Sequence, residues 1–306
     1  MLPEELQFIR NSHLPQKTTS ARLDGKTALI TGATSGIGYQ AAKRFAQGGA
    51  RVIFLCRNRE KAQKCVREIS RAYGTPSDFF IADFAHLAQV RQAAQTVAKK
   101  YANIHILVNN AGVFNKRRRL TADGNEMVFG VIHLASFLLT RELIENLKRA
   151  APARIIDVSS EAHRFGGLNL KDLNWAKRPY IGLRSYAAAK TAQLLCLQEF
   201  ARRFTGNCVT INAMHPGAVR TNIGMNNGLL YRLYNRYVLR WFLKDPARSA
   251  EALYYLAAAP EMEKITGKFF NLTIEEKPAR WAMHSASAEE IWKISETLTA
   301  PNMEGV

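Results

Sequence analysis

The chain has 306 residues, 47% apolar and 22% charged, enough for a sizeable core and ordinary for a globular protein in water. No stretch approaches the roughly 18 consecutive apolar residues of a spanning helix, so none is expected. A net charge of +18 favours acidic substrates, anionic membrane surfaces or weak non-specific contact with nucleic acid. With no helix-turn-helix, zinc-finger or RNA-binding motif beside it, a specific nucleic-acid role is excluded.

Residues 1–23 read as an N-terminal arm, without the basic-then-apolar layout of a secretory signal, which points to the cytoplasm. From there, apolar runs of strand length alternate with helical patterns. "TALIT" (27–31), "RVIFLC" (51–56), "DFFIA" (78–82), "IHILVN" (104–109), "ARIIDVS" (153–159) and "CVTINAM" (208–214) read as strands, with a seventh at "GKFFNL" (267–272). They are apolar on both faces, as in a parallel sheet covered on each side. Helical patterns fall at 36–48, 58–73, 86–101, 123–149 and 185–205. Repeated βα units of this kind predict a single-domain, Rossmann-type, doubly wound parallel sheet of about seven strands with helices on both faces. Residues 24–275 form that domain and 276–306 a C-terminal extension, in which Trp281 and Trp292 have no assigned role. Cys56, Cys65, Cys196 and Cys208 lack metal or redox spacing and read as buried free thiols, which suits a reducing compartment.

"TALITGATSGIG" places Thr31, Gly32, Gly36 and Gly38 between the first strand and the first helix. Glycines let backbone approach a pyrophosphate closely, and the helix N-terminus supplies N–H groups and a positive dipole end. An acidic residue at the end of the second strand would bond the 2′-hydroxyl of NAD. Here Cys56 occupies that place and Arg57 follows, a natural partner for a 2′-phosphate, with Ser35 able to add a hydrogen bond. NADP(H) is therefore expected in preference to NAD(H).

"SYAAAKTAQLL" sets Tyr186 and Lys190 four apart on one helix face. A tyrosine with a pKa of about 10 is a poor base at neutral pH, but a neighbouring ammonium favours the phenolate and lets the pair act as general acid/base. Ser159 and Ser160 end the fifth strand, on the side where open α/β sheets bind ligands, and a serine there can bond a substrate oxygen.

These pieces, with "NNAG" (109–112) and "HPG" (215–217), make the chain resemble the short-chain dehydrogenase/reductase family over residues 24 to 275. "CRN", "ILVNNAGV", "DVSSEAH", "LNLKDLN", "HPGAVRT" and the long gap from Ser160 to Tyr186 resemble its retinol-dehydrogenase-like branch. The resemblance implies that Tyr186 donates or accepts the proton, that Lys190 holds the ribose and lowers the tyrosine pKa, and that Ser160 orients the carbonyl oxygen. It implies a cofactor cradle of Thr31, Gly32, Thr34, Ser35, Gly36, Ile37 and Gly38. Asp83 would lie near the adenine, while Asn109, Ala111 and Gly112 wall the cofactor. Pro216, Gly217, Val219 and Thr221 would flank the nicotinamide. It also implies that copies pair as a homodimer through the helices at 123–149 and 185–205.

One residue departs from the pattern. Where the branch carries an asparagine thought to hold a water that links the lysine to solvent, this chain has Ile132, which cannot bond a water. Three readings stay open: a relay kept by backbone carbonyls and ribose hydroxyls, a water bonded by Ser136 one turn further on, or a cofactor-binding chain with little turnover.

Residues 222–245 read as a substrate lid. Leu230, Leu233, Tyr234, Tyr237, Val238, Trp241 and Phe242 form an apolar stripe, and Arg232, Arg236, Arg240 and Lys244 a basic one. The stripe either packs over the pocket or, across 229–244, lies peripherally on an anionic membrane. Both readings imply a lipophilic alcohol, aldehyde or ketone as substrate. The basic run Lys116, Arg117, Arg118 and Arg119 reads as a solvated loop or as a contact for acidic groups. The histidines lack metal spacing, and no third partner makes His163 part of a hydrolytic triad. The expected function is an NADP(H)-dependent oxidoreductase with Tyr186 as acid/base. The alternative is an NADP(H)-binding regulatory or scaffold protein.

Overall fold

The computed structural model describes residues 11, 14–217 and 245–301. The strands β1 (Thr27–Thr31), β2 (Arg51–Cys56), β3 (Ser77–Ile81), β4 (Ile106–Asn109), β5 (Ala153–Val158), β6 (Val209–His215), β7 (Phe269–Asn271) and β8 (Ile274–Glu276) lie in the order β3-β2-β1-β4-β5-β6-β7-β8. Every pairing is parallel except β7 with β8. The expected α/β architecture is found, with an eighth strand. The end at 275 expected for the domain falls inside β8, a three-residue strand too short to leave a pattern in sequence.

The helices are α1 (Gly36–Gln47), α2 (Arg59–Tyr73) and α3 (Leu87–Lys100), then a composite run, α4. It starts at Met127–Phe129, widens into a π turn over Gly130–Leu134 and continues through Ala135–Glu142. Next come α5 (Ile144–Arg149), α6 (Gly182–Arg203), α7 (Pro246–Ala258) and α8 (Ser285–Leu298). The single helix expected over 123–149 is thus interrupted twice. Glu126 caps its start, and the chain breaks at Leu143 before α5.

Period-2 alternation divides the sheet's side chains between two cores. Leu29, Ile53, Leu107, Ile155 and Ile211 face one layer, packed with α3, α4, α6 and α8. Ala28, Ile30, Val52, Phe54, Ile106 and Ile156 face the other, with α1, α2 and α7. In that second layer Phe45 meets Tyr254 edge-on at 5.6 Å, and Gly48 stands where any Cβ would collide with Tyr254.

From β1 the chain winds outward to β2 and β3, and from β4 it winds the other way. The loops after β1 and β4 therefore part at a topological switch point, where sheets of this kind bind ligands. The extension is built into the fold. Trp292 on α8 packs against Phe137 of α4 at 4.9 Å and Phe200 of α6 at 4.6 Å, with the Arg203 guanidinium 4.2 Å from its ring. Two further cysteine and membrane expectations meet the structure here. Cys56, Cys65 and Cys196 are buried, whereas Cys208 is exposed because it sits in the turn just before β6 rather than in the strand. Among the described residues no helix is long and apolar enough to cross a membrane.

Candidate active site

The loop after β1 is held by the turn after β4. Thr31 Oγ1 accepts from the backbone N–H groups of Asn110 and Ala111, both at 2.9 Å, and Asn110 Nδ2 donates to the Thr31 carbonyl at 2.8 Å. Gly38 fits beneath this contact only because it lacks a side chain: a Cβ there would lie 2.5 Å from Asn110 Nδ2 and 2.6 Å from the Gly32 carbonyl. Gly36 has a φ of +56°, and a Cβ there would meet nothing within 4 Å, so its glycine answers to backbone conformation and leaves the loop's outer side open. Ser35 is the N-cap of α1, yet its hydroxyl makes no capping bond and the first turn carries no acidic residue. An α-helix leaves its first N–H groups unpaired, so this end offers donors and a positive dipole to an anion. The cradle fits a dinucleotide pyrophosphate.

Arg57 is exposed at the end of β2, next to Cys56, whose thiol burial pushes up to about 12 and keeps neutral. The last residue of β2 is Cys56 rather than a carboxylate. Asp83 turns its Oδ1 to its own loop, accepting from Ala85 N at 3.0 Å. Asn109 does not wall the cleft with its side chain. It is buried, and its Nδ2 donates to Asp157 Oδ1 at 2.8 Å and Thr140 Oγ1 at 3.1 Å. Alternation along β4 sends Asn109 inward and leaves Asn110 to bind the glycine loop, a swap that two adjacent asparagines conceal in sequence. Pro216 and Gly217 follow β6, with the Pro216 carbonyl accepting from Ser249 Oγ at 2.7 Å. Val219, Thr221 and the expected lid lie outside the described residues.

Ser160, Tyr186 and Lys190 converge at the C-terminal end of β5. Ser160 Oγ accepts from Ala162 N at 3.1 Å and lies close enough to Tyr186 to pull its phenol pKa down. Tyr186 is pushed up to about 12 by burial, with the Ser160 bond pulling the other way. Phe114 lies edge-on to its ring at 6.2 Å. Lys190 Nζ sits 5.8 Å from the Tyr186 ring and donates to the Val158 carbonyl at 2.5 Å and Gln193 Oε1 at 3.2 Å. Burial brings Lys190 down to about 8, against the attraction of Asp157. Ser159 turns away, its Oγ buried with no partner among the described residues. The group can hand a proton to, or take one from, an oxygen placed beside Ser160 and Tyr186.

Ile132 lies within the π turn, fully buried with Val128 and Ala189, and Tyr186 packs against this small cluster. Such turns concentrate at functional sites. Isoleucine therefore fills the space on the Tyr186 side of the site with hydrocarbon.

Two anchoring residues left no signal in the sequence. Glu126 is fully buried, and its carboxylate accepts from Val128 N, Phe129 N, Tyr180 Oη and Ser185 Oγ at 2.9 to 3.1 Å. It joins the start of α4 to the residue before Tyr186. His163 is also buried. Its Nδ1 donates to the Ser160 carbonyl at 2.7 Å, its Nε2 accepts from Ala279 N at 3.1 Å, and its own carbonyl accepts from Trp281 Nε1 at 2.9 Å. Beside it, the buried Arg164 pairs with Glu161 and with Glu276 of β8. The extension is thereby tied to the Ser160 turn.

Comparison with known proteins agrees with this geometry. The family model for short chain dehydrogenases matches residues 26–229. Retinol dehydrogenase 13 of Mus musculus is 37% identical over 296 residues, covering 95% of this chain and 88% of its own. Retinol dehydrogenase 14 of the same species is 38% identical over 291 residues, covering 90% and 86%. A short chain dehydrogenase from Burkholderia cenocepacia, solved in complex with NADP, superposes with a TM-score of 0.65 at 29% identity, covering 82% of this chain and 96% of its own.

Proposed function

The chain belongs to the short-chain dehydrogenase family, in its retinol-dehydrogenase-like branch, and from that premise we propose that it is an NADP(H)-dependent oxidoreductase acting on lipophilic alcohols, aldehydes or ketones. The observation that carries the reading is the convergence of Ser160, Tyr186 and Lys190 beside a glycine cradle with an open helix N-terminus. The cofactor, when bound, supplies or accepts the hydride. Thr31 and Asn110 fix the cradle, and Arg57 answers a 2′-phosphate at the corner where Cys56 leaves no carboxylate. Ser160 donates its one hydroxyl hydrogen bond to the substrate oxygen. Tyr186 gives up its proton in the reducing direction and takes one in the oxidising direction, and the Lys190 ammonium lowers the cost of the phenolate. Phe114, edge-on to Tyr186, offers an apolar flank that favours a lipophilic substrate over a sugar.

The test is NADPH consumption with a panel of lipophilic aldehydes and ketones. Tyr186→Phe is expected to lose turnover by about 10²-fold or more while NADPH binding stays nearly intact. Unchanged turnover in that variant would remove Tyr186 as the acid/base, and no turnover in the natural protein would replace the reading with a cofactor-binding scaffold. Arg57→Ala is expected to weaken NADPH roughly tenfold and leave NADH unaffected. An NADH affinity equal to that for NADPH would remove the preference. Pairing of copies through α4 and α6 would have to displace α8, so we assign no dimer to that face. Peripheral contact of 229–244 with an anionic membrane belongs to the same proposal, and salt-sensitive co-sedimentation with anionic vesicles is what it requires.

A further inference from the structure

Behind Lys190, in the layer between the sheet and α8, lies a small cavity among buried residues. Its polar wall comes from Asn109 of β4, Asp157 of β5, Ser136 and Thr140 of α4, and Gln193 of α6, with Phe137 among the apolar groups closing it. About 10 Å³ is open to the centre of a water molecule, which is the room one buried water takes. A void of this size lined by hydrocarbon alone stays dry, but here polar groups stand among the apolar ones, and two of them lack partners. Ser136 Oγ and Asn109 Oδ1 are both buried with no partner among the described residues. Asn109 has placed its Nδ2 on Asp157 and Thr140, so its Oδ1 still calls for a donor.

The same wall holds the groups around the catalytic ammonium. Gln193 Oε1 accepts from Lys190 Nζ at 3.2 Å, and the Asp157 carboxylate attracts that ammonium. We propose that the cavity is a binding site for one water molecule, held by Ser136 and Asn109, and that this water supports the charge of Asp157 and so the protonation of Lys190. The catalytic consequence rests on the oxidoreductase reading above. Ser136 and Asn109 are thus positioning residues, acting on Tyr186 through Asp157 and Lys190.

Among the described residues Asp157 receives only the Asn109 amide as a direct side-chain donor, and burial raises it to about 6, so one further donor strengthens its ionised form. The other titratable groups near this pair are quiet. His133 on α4 and His215 on β6 are both held down to about 3 by burial and stay neutral, and burial pushes the Cys196 thiol of α6 well up. Ile132, one turn before Ser136, packs toward Tyr186 and takes no part in this wall.

The test has two arms. In a high-resolution crystal structure of the protein with NADPH, a water is expected within hydrogen-bond distance of Ser136 Oγ and Asn109 Oδ1. An empty cavity in a map that shows other buried waters overturns the site. In the second arm, Ser136→Val removes the hydroxyl that holds the water. Asp157 then holds its charge less well, Lys190 loses its proton at lower pH, and the basic limb of turnover is expected to move down by about one pH unit, tenfold in rate on that limb. Ser136→Thr, which keeps the hydroxyl, is expected to return the limb to its natural position. A uniform fall in rate with an unmoved limb, in either variant, marks packing alone and overturns the link to Lys190. Loss of the oxidoreductase reading would show separately, as no turnover in the natural protein, and would leave the crystallographic arm intact.

Discussion

His163 holds the Ser160 carbonyl through Nδ1 at 2.7 Å while its other ring nitrogen accepts from Ala279 N. The serine beside Tyr186 is therefore positioned from the C-terminal extension as well as from β5. Burial keeps His163 down at about 4, so this tautomer persists through the neutral range. His163→Leu strips a partner from two backbone groups, one of them the buried-side Ala279 N–H. We expect a loss of roughly 2–4 kcal/mol in urea unfolding and a fall in kcat larger than the rise in KM. An unfolding midpoint equal to that of the natural protein would show that neither bond matters.

Glu126 makes a second prediction. Its carboxylate meets four donors, two at the start of α4 and one on Ser185. Glu126→Ala leaves buried donors unmet and removes the cap, at a cost of about 3 kcal/mol. Glu126→Gln keeps one acceptor oxygen and should fall between the two. Equilibrium unfolding of the three proteins checks that order.

Ile132→Asn restores the residue type implied by the resemblance, but into a pocket walled by Val128 and Ala189. A buried amide without partners costs roughly 1–3 kcal/mol. The expected outcome is a lower Tm with no gain in kcat. A variant faster than the natural protein would mean that the isoleucine attenuates an activity the rest of the site supports.

Lys190 also has a stability signature in the cofactor-free protein. Burial lowers it from 10.5 to about 8, so between those values the unfolded chain binds a proton that the folded chain has released. Stability from this group therefore rises as pH climbs through that window and is flat below it. Urea unfolding at two pH values across the window, compared with Lys190→Met, should show a relative gain for the natural protein on the order of 2 kcal/mol. A relative loss would mean that the folded protein keeps its ammonium.

The parts of the site set by local rules were legible in the sequence. Gly36 and Gly38 followed a strand and opened a helix, and Tyr186 and Lys190 shared a helix face, because turns and helices bring near neighbours together. What stayed hidden depends on tertiary register. Asn109 and Asn110 are adjacent letters, and only the pleat of β4 decides which faces the glycine loop. The π turn at Gly130–Leu134 leaves the helical pattern around Ile132 unmarked, since one wide turn barely shifts the periodicity. Glu126 reaches Ser185 across 59 positions and His163 reaches Ala279 across 116, while Ser136 acts across a cavity, and no spacing rule reaches that far.

The packing of α8 changes what the end of this chain is. Trp292 and its neighbours form the outer support of the two helices that carry Ser136 and Lys190, so the terminal segment works as a buttress rather than a tail. A gene shortened at residue 275 would not yield a trimmed catalytic core. It would expose Phe137 and Phe200 to water and leave Ser160 without the brace that His163 draws from Ala279. Tags and fusions are better joined after α8 than substituted for it.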